Sequence, residues 1–357
     1  MNGYLGRTFD TRMLLAAGAV ALAVAASSAP AAALQPAGQT RVERVEFGEL
    51  PSVPAKAGGF LWVLDRRGDT IGKIDPATNQ VAGAIDLSGL LGPRQPAWDL
   101  DAARGSLWVT IPGRRRLVEL DPATGEVVST VRTRGFVADL YAAHGSLWFS
   151  RSTQRRVVLV RLNPKTGKRV AIFRLGRTNT GVTDVVRYGA SVWVVREHAR
   201  HVRGKGRNPT FYVTAALWRI DPGANVVREK APLGATYTRG AVNPVVGDVA
   251  VAREGLWMSR VHERRLVLMD PTTLRVLDVQ PVAEFVLPWH VEVLRDDVWV
   301  GELNATRVAR IDPEAGVTEL IETGGTTTYL GRGFGSVWAP VVNEDAGRGE
   351  VVRLTPE

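Results

Sequence analysis

A phrase of about 40 residues is repeated seven times along the chain. Each copy places a Trp inside a short segment of alternating polar and apolar residues, and these are Trp62, Trp108, Trp148, Trp193, Trp257, Trp299 and Trp338. In the copy at residues 105–131, the segment Asp121–Gly125 (DPATG) separates two further alternating segments and reads as a tight turn. A fixed period with four short strands per unit is typical of a propeller. The sequence therefore predicts an all-β, seven-bladed β-propeller with four antiparallel strands per blade.

The two ends of the repeat array complement each other. The last copy stops at Val351–Glu357, after its third strand, while an alternating segment at about residues 41–47 precedes the first full copy. We expect this N-terminal strand to complete the last blade and close the ring, because an open blade edge invites aggregation. Residues 34–357 then form a single propeller domain, and we expect a monomer.

Residues 1–33 have the order of a secretory signal. Arg7 and Arg12 precede the apolar run Met13–Ala26, and small residues follow it. We predict cleavage after Ala31 or Ala33 and a secreted or extracytoplasmic location, in the periplasm or cell envelope; a retained anchor is the alternative. With no cysteine in the chain, disulfides, thiolate metal sites and a lipoprotein anchor are excluded.

The formal net charge is +9, and most of the basic residues are Arg. Such a surface favours an anionic envelope polymer as a partner. An Arg-rich composition also arises in proteins that bind no anionic partner, and no aromatic-basic binding motif accompanies it here. We expect neither a nucleic-acid partner nor a stable membrane span after processing.

One position keeps strict register nine residues before each Trp. It holds Val53, Asp99, Asp139, Asp184, Asp248, His290 and Tyr329. This position falls in the innermost strand of each blade, beside the central channel. The aspartates form either a cation-binding ring or a set of acceptors for backbone amides.

A second position, three residues after each Trp, opens on the loop face. It holds Asp65, Ile111, Arg151, Arg196, Arg260, Glu302 and Val341. Arginine suits carboxylate or phosphate recognition, so these residues predict a polarised mouth for an anionic ligand; the alternative is a set of surface ion pairs. Trp98 and Trp289 lie outside the repeat and form either an aromatic clamp at the mouth or ordinary blade packing.

Blade four departs most from the pattern. Its loop gains about fifteen residues over 196–215 and contains His198, His201 and several basic residues. We expect this loop either to cover a ligand or dock a partner, or to be a disordered basic flap. The two histidines, three residues apart, are weak candidates for metal ligands.

The repeated Leu/Val-Trp-Val, Asp-Pro and Thr-Gly elements resemble those of the virginiamycin B (streptogramin) lyase family and of its relatives with YVTN-type surface repeats. That resemblance implies a magnesium-assisted elimination that opens a cyclic depsipeptide ester. His262 in RVHER resembles the family's first His, and Glu302 in GELNATRVARI resembles its Glu. Asn304 occupies the position of the second His, which is the family's base, so His290 is the remaining candidate for that role.

Two functions follow. The first is an exported propeller that binds a small-molecule or peptide-like, anionic ligand, or a cell-envelope partner, on its loop face. The ligand-binding candidates are Arg151, Arg196, Arg260, Asp65, Trp98, Trp289, Tyr329 and Asn304. The second is a metal-dependent lyase that opens a cyclic ester, with Glu302, His262 and His290 as catalytic residues. Its metal, Mg or Ca, would be held by Glu302 and His262. The alternative for His262 is a solvated loop residue, and for Glu302 an ion pair with Arg307 or Arg260.

Overall fold

A computed structural model describes residues 39–92, 95–137, 139–177, 179–204, 209–240, 242–285, 287–303, 305–343 and 347–357. The predicted signal segment, residues 1–33, lies outside this part of the chain. The strands form seven antiparallel sheets around a central axis, as the repeat predicts. The described residues contain three single-turn 3-10 segments and no α-helix; the segments are Ser88–Leu90, Pro112–Arg114 and Val261–Glu263. None of the described segments is a helix of the length and hydropathy needed to span a membrane.

Each blade runs from its innermost strand, beside the axis, to its outermost. Blade one contains β2 (Pro51–Ala57), β3 (Phe60–Asp65), β4 (Thr70–Asp75) and β5 (Gln80–Asp86). Blade two contains β6 (Leu100–Ala103), β7 (Ser106–Ile111), β8 (Arg116–Leu120) and β9 (Val127–Arg132). Blade three contains β10 (Leu140–Ala143), β11 (Ser146–Ser152), β12 (Val157–Leu162) and β13 (Arg169–Gly176).

The remaining blades follow the same order. Blade four contains β14 (Thr180–Tyr188), β15 (Ser191–Arg203), β16 (Thr210–Asp221) and β17 (Val226–Arg239). Blade five contains β18 (Val246–Val251), β19 (Leu256–Arg260), β20 (Arg265–Asp270) and β21 (Arg275–Pro281). Blade six contains β22 (Pro288–Leu294), β23 (Asp297–Glu302), β24 (Arg307–Asp312) and β25 (Gly316–Glu322). In blade seven two short pieces, β26 (Thr326–Thr327) and β27 (Gly331–Gly333), pair with β28 (Ser336–Asn343), and β29 (Arg348–Pro356) follows.

The N-terminal strand closes the ring, as predicted. Strand β1 (Thr40–Glu46) pairs antiparallel with β29, from Thr40 opposite Pro356 to Glu46 opposite Glu350. Val45 of β1 lies in one buried cluster with Trp338 of blade seven and Ile74 of blade one. Hydrophobic contacts therefore seal the seam between the first and last blades.

The repeated Trp residues fill the layers between blades, and all seven are at most 3% exposed. Opposite several of them, on the third strand, lies a basic residue. The Arg353 guanidinium is 5.0 Å from the Trp338 ring centroid and donates to the Pro76 carbonyl of blade one at 2.6 Å. Arg161 does the same over Trp148 and donates to Asn225 Oδ1 of blade four at 2.8 Å. Some of the chain's arginines therefore connect neighbouring blades.

The predicted loop at 196–215 is wrong, because most of this segment is strand. Strands β15, β16 and β17 have 13, 12 and 14 residues, and the hairpin continues the sheet beyond the blade. The physical reason is period-2 burial: Ala199, Phe211, Val213 and Ala215 turn inward while their neighbours in the strands are more exposed. Residues three apart point to opposite faces of a strand, so His198 and His201 are not placed to share a metal ion.

Candidate functional site

A cavity of about 1010 Å³ occupies the centre of the ring. Residues of the innermost strands, or next to them, line it in all seven blades. All seven predicted register positions are among them, namely Val53, Asp99, Asp139, Asp184, Asp248, His290 and Tyr329. The repeat therefore locates the cavity wall correctly, and the alternation of strands explains why, since every second residue of an innermost strand faces the axis.

Two of the register aspartates, Asp99 and Asp248, also bind a backbone amide of the next blade. Asp99 Oδ2 accepts a hydrogen bond from the Leu140 amide of the next blade at 2.7 Å. Asp248 Oδ2 accepts one from the Val291 amide of the following blade at 3.1 Å. These aspartates therefore act as acceptors for backbone amides, which is one of the two roles predicted for them, and they also line the cavity.

Several buried acidic groups of the wall hold protons more tightly than free carboxylic acids do. Burial raises the pKa of Asp101 and Asp139 to about 6 and that of Glu292 to about 7. Burial, followed by the nearby Asp139 carboxylate, raises the pKa of Asp99 well above its ordinary value. Desolvation and mutual repulsion both disfavour the charged form, so a cation placed among these groups would relieve both.

Among the described residues that line the cavity, carboxylates outnumber arginines. The eight acidic lining residues are Glu49, Asp99, Asp101, Asp139, Asp184, Glu197, Asp248 and Glu292. The four lining arginines are Arg66, Arg67, Arg239 and Arg332. Because the chain as a whole carries +9, the cavity is an acidic region in a basic protein.

Aromatic side chains share the wall with these acids. Trp98, Trp289 and Tyr329 line the cavity and are partly exposed, so the structure brings these three ligand-binding candidates together. The Arg66 guanidinium carbon lies 3.7 Å from the Trp98 ring centroid, and the Arg66 Nη2 atom is shielded from solvent without a hydrogen-bond partner among the described residues. One aromatic face of the cavity is thus already covered by a cation.

His290 is the one catalytic candidate on the cavity wall. It is buried, its Nδ1 atom is 3.8 Å from Asp248 Oδ2, and its ring centroid lies 4.7 Å from that of Tyr329. The neighbouring carboxylate and the tilted Tyr329 ring hold the imidazole in place.

The three arginines expected at the mouth are not among the described residues that line the cavity. Each donates to a backbone carbonyl of the preceding blade: Arg151 to Thr133 at 3.3 Å, Arg196 to Leu175 at 2.7 Å, and Arg260 to Leu233. Arg260 also forms an ion pair with Glu263. In the structure these side chains connect neighbouring blades.

The acids at the same repeat position are also held by the scaffold. Asp65 is buried and accepts hydrogen bonds from the Glu49 and Leu50 amides at 2.9 and 3.0 Å. Glu302 is buried, and its carboxylate lies 3.3 Å from Arg307 Nη2 and accepts a hydrogen bond from the Leu287 amide at 3.4 Å. Neither is among the described residues that line the cavity.

His262 lies exposed in the 3-10 turn of blade five, where partial desolvation lowers the pKa of its imidazole. Asn304, the residue at the second His position, lies outside the described residues. Within the described part of the chain, no three His, Asp or Glu side chains gather as a metal-ligand set. With its carboxylate bound to Arg307, Glu302 does not fit a Mg or Ca site, and that metal stays a prediction.

Sequence reasoning missed Glu292, Asp101 and Arg66. A signal for the two acids was present, because both lie two residues after the register position and two residues along a strand return to the same face. Arg66 follows β3 directly in a turn, where the repeat carries no fixed residue, so nothing in the repeat indicated that it reaches the cavity.

Comparison with solved structures agrees with this fold. A streptogramin B lyase superposes with a TM-score of 0.64 at 14% identity, covering 88% of this chain and 98% of that one. Virginiamycin B lyase from Staphylococcus aureus gives 0.63 at 12% identity, covering 89% and 99%. The Pan2 WD40 domain of Neurospora crassa gives 0.60 at 11% identity, covering 90% and 98%.

No family model and no curated protein matches the sequence. The resemblance to virginiamycin B lyase is therefore confirmed in the arrangement of the blades, and identities this low extend it no further than the fold.

Proposed function

We propose that this chain is an exported, non-catalytic binding propeller whose central cavity takes a small cationic ligand carrying amine groups. The observation that carries the proposal is the excess of carboxylates over arginines on the wall of a 1010 Å³ cavity inside a basic protein. Ammonium groups would neutralise carboxylates such as Asp101 and Glu292, and they would stack on the Trp289 and Tyr329 rings.

The sign of this ligand is opposite to the one that the sequence favours. The anionic ligand rested on Arg151, Arg196 and Arg260, and in the structure those guanidinium groups are bound to carbonyls between blades. The cavity wall itself supports a cation. A long polyamine or a basic peptide would span carboxylates on several blades at once.

Isothermal titration of the mature protein with spermidine, at pH 7.5 and low salt, tests the proposal. We expect spermidine to bind and citrate not to bind, and we expect Glu292→Gln to weaken spermidine binding about 3- to 10-fold, as for one partly screened charge pair. The matched control is Glu126→Gln, an exposed carboxylate in the turn after β8. Tighter binding of citrate than of spermidine would contradict the proposal.

A metal-dependent lyase is the second candidate. It is supported by the motif match at His262 and Glu302 together with the shared fold, and the ion pair of Glu302 with Arg307 counts against it. We expect it to be correct only if millimolar Mg²⁺ or Ca²⁺ raises the melting temperature and Glu302→Ala removes this rise. Opening of a cyclic depsipeptide by the metal-loaded protein would then identify the reaction.

A further inference from the structure

The hairpin extension of blade four is a rigid arm. We define the blade-four arm as residues 197–203, 210–215 and 234–239, the parts of β15, β16 and β17 beyond the blade proper. Every other described strand has nine residues or fewer. The arm's inner face carries Phe211 and Val213, which pack with Val245 and Val246 of the next blade in one buried cluster. Because this face is anchored, the arm is a fixed platform.

The outer face of the arm is aromatic and basic. Tyr237 is 65% exposed and its ring centroid lies 4.9 Å from that of Tyr212. The Arg200 guanidinium is 5.9 Å from the Tyr212 ring centroid. Arg239, the last residue of β17, is exposed and also borders the cavity. Tyr and Arg are the residue types that contribute most at binding surfaces.

No carboxylate balances these arginines among the described residues of the arm's outer face. The arm's single acidic residue in the described ranges, Glu197, is buried and accepts hydrogen bonds from the Val245 and Val246 amides at 2.8 and 3.0 Å. The outer face therefore presents uncompensated positive charge.

The outer edge of β17 is protected in one half and open in the other. In the blade the edge carries Arg228, Glu229, Lys230 and Pro232, which are typical devices against unwanted strand pairing. In the arm it reads Ala235–Thr238 (ATYT), uncharged and rich in residues that favour strands. Among the described strands β17 pairs with β16 alone, so backbone donors and acceptors along this half are free to pair.

A β-bulge separates the two halves. The register with β16 shifts between Ala215, opposite Gly234, and Ala216, opposite Pro232, and Gly234 has a φ of +110°. Residues with a side chain rarely adopt this φ, so the conformation favours glycine at the bulge. The bulge turns the arm's edge away from the line of the blade.

We propose that the open edge of the blade-four arm binds an extended acidic segment of a partner protein by strand addition. Main-chain hydrogen bonds to residues 235–238 supply the pairing, and Arg239, at the end of the same strand, selects an acidic side chain. Arg200 lies two strands away on β15 and adds to the positive charge of this face. A second copy of this chain fits poorly, because an edge-to-edge pair would bring the same arginines of both copies together. The pairing edge itself, residues 235–238, is not among the described residues that line the cavity, so the proposal does not rest on the cavity ligand.

A labelled peptide of alternating Glu and Val or Thr residues is the probe, with fluorescence anisotropy at 50 and 300 mM NaCl as the readout. We expect binding by the wild-type mature protein, and at least about tenfold weaker binding by Arg239→Glu. The control is Arg155→Glu, which makes the same charge change at an exposed site in blade three. Peptides methylated on alternate backbone nitrogens, in both phases, test the edge directly. Alternate amides of a bound strand point to the protein and to solvent, so only methylation of the protein-facing amides removes the pairing hydrogen bonds.

Loss of binding for one methylation phase, and not for the other, supports strand addition. Equal binding of both methylated peptides, or complete displacement by inorganic polyphosphate with no effect of methylation, would identify an unspecific anion-binding surface and overturn the proposal. Absence of any binding at millimolar peptide would overturn it as well.

Discussion

Glu292 should lower the stability of the folded protein at high pH, and removing its charge should reveal this cost. Burial on the cavity wall raises the pKa of Glu292 from 4.5 to about 7, with the Arg332 guanidinium opposing the shift. The folded state therefore binds a proton that the unfolded chain has already released. This contribution to stability is complete below pH 4.5 and is lost as the pH rises through about 7.

The size of the effect follows from the shift. At about 1.4 kcal/mol per pKa unit, the full difference corresponds to roughly 3 kcal/mol. The side chain is 22% exposed, so screening by water reduces this cost to about 1–2 kcal/mol; the Arg332 guanidinium, 3.7 Å away, is already included in the shift. Glu292→Gln keeps the shape and removes the charge. We expect its free energy of unfolding to exceed that of the wild type by about 1–2 kcal/mol at pH 8 and to equal it near pH 4.5.

Urea unfolding followed by tryptophan fluorescence at pH 4.5, 6, 7 and 8 measures this difference. Glu302→Gln is the contrasting variant: its carboxylate is buried against Arg307, and we expect it to lose about 1–3 kcal/mol at pH 8. If Glu292→Gln is less stable than the wild type at pH 8, the reasoning about the cavity wall is refuted. A variant that is more stable yet binds spermidine less well would mark Glu292 as retained for binding rather than for folding.

Three further predictions concern the scaffold, each measured as a change in the urea midpoint at pH 7. Arg353→Met should cost about 1–2 kcal/mol, because it removes the hydrogen bonds from blade seven to blade one, and an unchanged midpoint would show that the seam does not need them. Asp65→Ala should cost about 1–3 kcal/mol through its unpaired backbone amides, and a neutral result would free Asp65 for the ligand role predicted from sequence. Gly72→Ala should cost about 1–3 kcal/mol, since its Cβ would come within 2.3 Å of the Phe47 ring; Gly89→Ala, with no heavy atom within 4 Å, is the control and should be neutral.

The fold was predictable because each copy of the repeat consists of short-range sequence patterns. Polar and apolar residues alternate around Trp108, and a tight turn follows at Asp121. Each neighbouring copy repeats this pattern. The closing strand was predictable for a related reason: seven copies with one strand missing at one end and one in excess at the other leave a single way to close the ring.

The candidate site was predictable only where it follows the repeat. His290 and Tyr329 were located by register, and the structure places both on the cavity wall. Arg151 and Arg260 follow a register too, but sequence does not say which way a long side chain reaches, and both reach back to the preceding blade. The insertion in blade four reads as a loop because it adds about fifteen residues to the repeat, although its alternation is that of a strand.

The pairing of β1 with β29 has a consequence for the order of folding. Thr40, among the first residues of the domain, pairs with Pro356, almost the last. Six blades can form from neighbouring segments as the chain emerges, but the seventh waits until both ends are present. Until then, β29 exposes an unpaired edge and the seam between the first and last blades is open. The final step of folding is therefore a meeting of the chain ends, and its rate should respond to changes in Val45 or Val351 more than to equivalent changes in the middle of the ring.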